Sequence, residues 1–310
     1  MPDEKVVFQN KGSSALNPQK RIDLNNLPFT LNPTIGCLFG CLYCYTQMAP
    51  YRYHSEFGKE VKVKKWLPKK LDRELTRHKD LPSHLKRVQV NEASEAYLPQ
   101  VMAKSKELGR DIMLETLDVF QDHWEKENRW MVHLLTKSHL VLKHLDKLKE
   151  MKDQVQVELT ITTLDEKRRK FLEGSAPTVK KRLGVIEKLA GEGVFVRVMA
   201  MPFIGSKDEA TELRKVVFDH GASAFKHKKL NYWDENALLE GRLVEKGRRQ
   251  DAAFQDLLVK SGEPFEGDGG PQLVDTILPT PKWDNFVGRL VVLENCGYAD
   301  LNAFDWGYLK

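Results

Sequence analysis

The sequence lacks the features that would place the protein in a membrane or in a secreted scaffold. No apolar run approaches the ~18–20 residues that a membrane-spanning helix needs. The opening segment, MPDEKVVFQNKGSS, contains no apolar signal-peptide core. Cysteine is scarce, with four in 310 residues, which excludes a disulfide framework. We therefore expect a cytoplasmic protein that has no membrane partner.

A strong excess of charge of one sign is also missing. The formal net charge is +5, and the hydrophobic content of 41% and charged content of 30% are ordinary for a soluble globular chain. This composition excludes a fully disordered protein. The mild positive charge allows nucleic acid as a partner without requiring it. Basic runs stand at Lys62–Lys70, Lys167–Lys170 and Lys226–Lys229, and solvated helix faces also explain them.

Short apolar runs alternate with amphipathic stretches along most of the chain. The predicted strands are Leu31–Ile35, Arg87–Asn91, Trp130–Thr136, Val155–Thr162, Val194–Met201 and Ser223–Lys228. Between them, apolar residues recur at helical spacing, as at Val179, Leu183 and Ile186. This repeated alternation predicts an α/β fold with a parallel sheet, either open or partly closed into a barrel.

The two ends of the chain differ in composition from its middle. Residues 1–25 are polar and are predicted to form an N-terminal arm. The strand–helix alternation fills residues 26–260. Residues 261–310 begin with a stretch rich in glycine and proline and continue with the apolar run Leu290–Leu293. We expect this last part to be a C-terminal appendage that packs on the core.

Three of the four cysteines fall within one short motif, Cys37-Leu-Phe-Gly-Cys41-Leu-Tyr-Cys44, which has the spacing C-x3-C-x2-C. Thiolates are the ligands of iron–sulfur clusters, and three of them leave one iron of a four-iron cluster without a protein ligand. Such an open position can bind a cofactor or substrate, as in catalytic zinc sites. Two alternatives remain, namely zinc held with a histidine such as His54, and three buried structural cysteines.

The motif and its place after the first predicted strand resemble the radical S-adenosylmethionine (SAM) superfamily, from about residue 28 to about residue 235. An aromatic residue before the last cysteine, here Tyr43, is typical of that family. The resemblance implies a partial (β/α)6 barrel, a [4Fe–4S] cluster on the three cysteines and SAM on the open iron. It also implies an external flavodoxin- or ferredoxin-like electron donor, and a 5′-deoxyadenosyl radical that abstracts hydrogen from a substrate.

Local stretches resemble the spore photoproduct lyase branch of that superfamily. They include Asn32-Pro-Thr-Ile-Gly-Cys37 before the cluster loop, and the tyrosines on either side of Cys44. The resemblance implies a radical relay through Tyr43 and Tyr45, with packing against the cluster as the alternative. In the same branch the lysine of Thr136-Lys137-Ser138 pairs with the SAM carboxylate, which implies this role for Lys137.

Further cofactor contacts are implied at the ends of two other strands. Thr160 and Thr162 match an element that contacts SAM, although threonine is also common in strands for its propensity alone. In the loop after the second strand, Ser94 matches a serine that contacts SAM. Arg197 lies within the fifth predicted strand and is either a cofactor-binding residue or a paired core charge.

The sequence departs from the lyase branch where that branch carries its hydrogen-donating cysteine. Glu92 stands at about that position, and no cysteine is nearby. Cys296, in the C-terminal appendage, is a second candidate for hydrogen donation or for capping the open iron. A small buried hydrophobe is the alternative role for this cysteine.

Three classes of function are compatible with these patterns. The first is hydrogen abstraction by a SAM-derived radical from a substrate that is either nucleic acid or a small molecule. The second keeps the cluster but cleaves a different bond of SAM, so that an aminocarboxypropyl group is transferred. The third is a non-catalytic protein in which the metal only staples the fold, as structural metal sites do.

Overall fold

The structure is a computed structural model, and it describes residues 5–18, 27–47, 58–81, 85–230 and 233–244, together with two short strands near the C-terminus. None of the helices in these ranges is long and apolar enough to cross a membrane. The strands, in chain order, are β1 (Lys5–Gln9), β2 (Asn17–Pro18), β3 (Phe29–Leu31), β4 (Thr34–Ile35), β5 (Glu60–Lys64), β6 (Arg87–Val90), β7 (Met131–Thr136), β8 (Val155–Thr160), β9 (Phe195–Phe203), β10 (Ala224–Lys229), β11 (Leu258–Val259) and β12 (Gln272–Leu273).

The main sheet has seven strands in the order β10-β9-β8-β7-β6-β3-β2. Six of them, from β3 to β10, pair in parallel, and β2 joins the β3 edge antiparallel. Helices lie between most of the parallel strands in the chain. This arrangement confirms the predicted α/β fold, the partial (β/α)6 barrel. The predicted C-terminal appendage lies outside the described residues, apart from β12.

The helices follow the expected apolar spacing. They are α1 (Leu67–Arg77), α2 (Pro99–Leu108), α3 (Ile112–Glu125), α4 (Leu145–Glu150), α5 (Glu166–Glu173), α6 (Val179–Gly191), α7 (Lys207–Asp219) and α8 (Glu235–Leu239), with 3₁₀ turns at Tyr45–Gln47 and His139–His144. Thr178 caps helix α6, since its side chain accepts from the Lys181 N–H, and the helix buries Val185, Ile186 and Leu189. Helix α7 begins with a capping box between Ser206 and Glu209.

The first predicted strand is divided in two. Pro33 has no N–H to donate, and the chain changes sheets there, so that β3 belongs to the main sheet and β4 to a second, three-stranded sheet in the order β1-β5-β4. Strand β1 lies within the segment expected to be an arm, and it pairs in parallel with β5. Residues 5–18 are therefore part of the packed structure. Ala15 and Leu16 are buried, and their N–H groups donate to Glu74 of α1.

The two faces of the main sheet carry different residues. One face presents aliphatic rows such as Val90, Leu134, Val157 and Val196, which are neighbours in register. The other face carries buried polar side chains, which are Gln89, His133, Gln156, Glu158 and Arg197. Except for the half-buried Gln89 all of these are buried, as expected for parallel strands that are covered on both sides.

Candidate active site

The three cysteines lie on the loop between β4 and the 3₁₀ turn at Tyr45–Gln47. Gly36 and Gly40 have φ angles of 90° and 69°, a conformation that glycine adopts without strain, and they allow the loop to turn tightly. Gly36 also forms a parallel bridge with Ser94, in the loop that follows β6. The cysteine loop thus meets the carboxyl end of the parallel strands, the edge that carries the chemistry in barrel enzymes.

The three thiols are free and close enough to act on one another electrostatically. Burial raises the pKa of Cys37 well above its usual value, and the neighbouring Cys41 raises it further. Burial also raises the pKa of Cys41 to about 12, although the Lys137 ammonium opposes this shift. In the described ranges no three His, Cys, Asp or Glu side chains are placed to hold a metal ion. His54 lies outside the described residues.

The residues present fit an iron–sulfur cluster with one open iron. Cys37 and Cys44 are half-buried, while Cys41 is buried. All three belong to one short loop rather than to the separated pairs typical of structural zinc. Three thiolates from such a loop match the donor set of a cubane, and the charge of Lys137 partly balances them.

Lys137 follows the last residue of β7 and reaches the cysteine loop. Its ammonium lies 5.5 Å from the centre of the Tyr43 ring. Burial opposes its charge, but Cys41 and Glu173 outweigh that effect and raise the pKa of Lys137 above its usual value. The Lys137 N–H donates to Glu95 at 3.0 Å. A persistent cation therefore stands beside the cysteines.

Glu95 is a site residue that the sequence did not single out for a role. Its buried carboxylate accepts from the Thr136 hydroxyl at 2.9 Å and from the N–H groups of Lys137 and Tyr97, both at 3.0 Å. Glu95 therefore fixes the end of β7 from which Lys137 projects. A signal was available, because Glu95 directly follows Ser94, which was predicted to contact SAM.

Glu173 was also missed, although it lies directly behind the cysteine loop. Its fully buried carboxylate accepts from the Tyr43 hydroxyl, from the Thr162 hydroxyl at 3.0 Å, and from the Arg182 guanidinium. Arg182 donates a further bond to the Thr160 carbonyl at 2.9 Å. Burial opposes the charge on Glu173, but Arg182 and Lys137 outweigh it and hold the pKa of this carboxyl below its usual value.

Tyr45 contacts Glu92, and Ser94 lies two residues further along the loop that follows β6. The Tyr45 hydroxyl lies 3.5 Å from the Glu92 carbonyl oxygen. Burial raises the pKa of the Glu92 carboxyl, while a hydrogen bond from Tyr45 lowers it. The Ser94 hydroxyl donates to the Asn32 amide oxygen at 3.2 Å. Three residues predicted for the site are therefore adjacent in space.

The remaining predicted residues have different surroundings. Thr160 and Thr162 are both buried, and the Thr162 hydroxyl is engaged by Glu173. Arg197 lies near the start of β9 rather than at its carboxyl end, and it forms a buried ion pair with Glu158 at 3.1 Å. These surroundings are the ones expected for the alternative role of Arg197, that of a paired core charge. Cys296 lies outside the described residues.

Comparisons with known sequences relate this chain to one family model and to two proteins. Residues 31–216 match the family model described as Radical SAM superfamily. The chain is 28% identical over 200 residues to an uncharacterised protein of Methanocaldococcus jannaschii, which covers 64% of this chain and 68% of that protein. It is also 28% identical over 179 residues to an uncharacterised protein of Acidianus two-tailed virus, covering 56% of this chain and 55% of that protein.

Solved structures of spore photoproduct lyase share the fold at low sequence identity. One mutant of that enzyme matches with a TM-score of 0.55 and 14% identity, covering 85% of this chain and 72% of the other. Another, with bound AdoMet and dinucleoside spore photoproduct, matches with a TM-score of 0.52 and 14% identity, covering 69% of this chain. In that second alignment this chain spans 57% of the length of the lyase.

The family model covers more than half of the chain and includes all three cysteines, the strand end at Lys137 and strands β6 to β9 of the parallel sheet. Members of this family use a [4Fe–4S] cluster and SAM. The protein therefore belongs to the radical SAM superfamily.

Proposed function

We propose that this protein cleaves SAM reductively and uses the resulting 5′-deoxyadenosyl radical to abstract a hydrogen atom from a substrate. The observation that supports this most directly is the position of Lys137, a persistent cation in contact with the three-cysteine loop at the carboxyl edge of the sheet. A metal that merely stapled the fold would need no cation there, whereas SAM presents a carboxylate for it to bind.

The chain's own residues would hold and orient the reactants. Cys37, Cys41 and Cys44 would ligate the cluster, which supplies the single electron for cleavage. Lys137 would bind the SAM carboxylate, and Glu95 keeps the Lys137 backbone in position. Because Lys137 is half-buried among other charges, its ion pair would be stronger than one in water.

Other residues are proposed for the cofactor and for the radical. Ser94, Thr160 and Thr162 would border SAM, since they lie at or just beyond the ends of β6 and β8, the two strands on either side of β7. Tyr45, after the cysteine loop, contacts Glu92, which lies in the same loop as Ser94, and this contact supports a role close to the substrate for both residues. Tyr43 is engaged by Glu173, which supports anchoring of the cysteine loop for this residue rather than radical relay.

A nucleic acid is the substrate class that we favour over a small molecule. The support is the shared fold with a lyase that was solved with dinucleoside spore photoproduct, together with the basic run Lys62–Lys70. Strand β5 of this run pairs with β4, which leads into the cysteine loop. Binding to DNA that weakens steeply with salt would support this choice, because phosphate contacts release counterions. Weak or salt-independent binding would favour a small molecule.

The cleavage reaction itself is tested by anaerobic reconstitution with iron and sulfide, followed by dithionite and SAM. Chromatography should detect 5′-deoxyadenosine with the wild-type protein and none with a Cys37→Ala, Cys41→Ala, Cys44→Ala triple variant. Methylthioadenosine in place of 5′-deoxyadenosine would assign aminocarboxypropyl transfer instead. Intact SAM in the presence of a complete cluster would contradict the proposal. A flavodoxin or ferredoxin is the reductant that we propose in a cytoplasmic setting.

A further inference from the structure

We propose that Glu173 is a positioning residue for the iron–sulfur cluster, because its buried carboxylate clamps the cysteine loop and places a negative charge behind it. This inference rests on the cofactor of the family and not on the reaction proposed above. Glu173 is the last residue of α5, so it belongs to the scaffold rather than to the cysteine loop itself.

The clamp joins three separate parts of the chain at one carboxylate. Tyr43 comes from the cysteine loop, Thr162 from the segment after β8, and Arg182 from α6. Oε1 accepts from Tyr43 and Thr162, while Oε2 accepts from Arg182, so both oxygens are used. Glu173 and Arg182 are fully buried, and hydrogen bonds to a charged group are strong where water is excluded.

Backbone hydrogen bonds extend the clamp along the loop. The Leu42 N–H donates to the Leu172 carbonyl at 2.8 Å, and the Ser175 N–H donates to the Phe39 carbonyl at 2.9 Å. The Ser175 hydroxyl donates to the Leu38 carbonyl at 3.0 Å. The residues on both sides of Glu173 therefore bind the residues on both sides of Cys41. These bonds hold the loop to the end of α5 beside the Glu173 carboxylate.

The charges around the cysteine loop give Glu173 an electrostatic role beyond anchoring. Lys137 and Arg182 are cations that act on Cys41, and Glu173 is the carboxylate that balances them. Removing the carboxylate leaves two cations beside the cluster site. An uncompensated positive charge nearby stabilises the reduced cluster, which is one way in which charge and burial set cluster potentials. The reduction potential should then become less negative.

The test compares Glu173→Gln with Glu158→Gln in the reconstituted protein. Glu158 is a matched control, because it is an equally buried carboxylate paired with an arginine, Arg197, away from the cysteine loop. Redox titration followed by electron paramagnetic resonance should give a less negative midpoint potential for Glu173→Gln and an unchanged potential for Glu158→Gln. Equal potentials in the wild type and in Glu173→Gln would overturn the electrostatic role.

A second measurement uses the metal-free protein and needs no SAM. Site-resolved alkylation should modify Cys41 at least about tenfold faster in Glu173→Gln than in Glu158→Gln. The loss of about one hydrogen bond makes the opening of the loop, which exposes Cys41, about tenfold more frequent. If Glu173→Gln does not fold, Thr162→Val removes one donor and keeps the ion pair with Arg182. It should also speed alkylation of Cys41. Equal rates in the folded variants would refute the clamp, whatever becomes of SAM cleavage.

Discussion

Lys137 and Tyr43 are in contact, with the lysine ammonium 5.5 Å from the centre of the tyrosine ring. One residue follows a strand of the main sheet and the other belongs to the cysteine loop, so this contact joins scaffold and loop. A cation over an aromatic face is attracted to it, most strongly where water is excluded. This contact holds the ammonium close to the thiols. Glu95 separately fixes the backbone of Lys137 by accepting from its N–H.

Replacing Lys137 should weaken SAM binding more than it weakens the fold. We expect Lys137→Met to reduce the affinity of the reconstituted protein for SAM by about 10- to 100-fold, because a charged hydrogen bond contributes roughly 1.5–3 kcal/mol. Equilibrium dialysis with labelled SAM measures this loss. The matched control is Lys143→Met, since Lys143 is exposed in the 3₁₀ turn that follows. A similar affinity in both variants would remove Lys137 from the SAM site.

Two features of the site could be predicted from the sequence, namely the spacing of the cysteines and the positions at which the parallel strands end. The C-x3-C-x2-C motif places three thiols on one loop whatever the surroundings, and parallel strands bring their carboxyl ends to one edge. Lys137 and Ser94 were predicted from the resemblance to the lyase branch, and both stand just beyond the ends of parallel strands. The six parallel strands followed from their apolar runs, which reflect burial on both faces.

The residues that sequence reasoning missed depend on contacts between distant positions. Glu173 meets Tyr43 across 130 positions, and Glu95 meets Thr136 across 41. No local pattern marks an acidic residue at the end of a helix as a buried clamp, because a solvated carboxylate has the same sequence signature. For Arg197 both roles were open, and only the packing of Glu158 against it distinguishes them.

Arg197 should contribute to stability and not to SAM affinity. Arg197→Met leaves the Glu158 carboxylate buried without its guanidinium, which costs about 3–5 kcal/mol. Urea unfolding measures this loss, and the double variant Glu158→Leu, Arg197→Met should recover much of it because no charge is then left unpaired. Loss of SAM affinity in the folded Arg197→Met protein would return this residue to the cofactor site.

Buried His227 should make the protein less stable in mild acid. Burial lowers the pKa of His227 from 6.5 to about 4, so the folded protein holds this side chain neutral where the unfolded chain protonates it. The unfolded state therefore binds more protons between pH 6.5 and about 4, and the unfolding free energy falls as the pH drops through this range. The shift corresponds to about 3 kcal/mol.

The His227 effect is measured by comparing the wild type with His227→Gln in urea at several pH values. The difference in unfolding free energy between the two proteins should change between pH 6.5 and about 4 and stay constant above that range. Acidic groups titrate in both proteins, so their contribution cancels in the difference. A difference that does not vary with pH would show that His227 is protonated in the folded protein.

Gly174 should be required for the position of the cysteine loop. Its φ is +52°, and a β-carbon there would lie 2.5 Å from the Phe39 carbonyl oxygen, which is a backbone atom of the loop. Gly174→Ala should therefore lower the free energy of unfolding by about 1–3 kcal/mol through strain. It should also push the cysteine loop away from α5 and so reduce the iron bound after reconstitution.

The control is Gly184→Ala within α6, where nothing lies within 4 Å of the added carbon. That change should stabilise the helix by roughly 0.5–1 kcal/mol and leave iron binding intact. Full iron content in Gly174→Ala would show that the cysteine loop holds the cluster without its contact to α5.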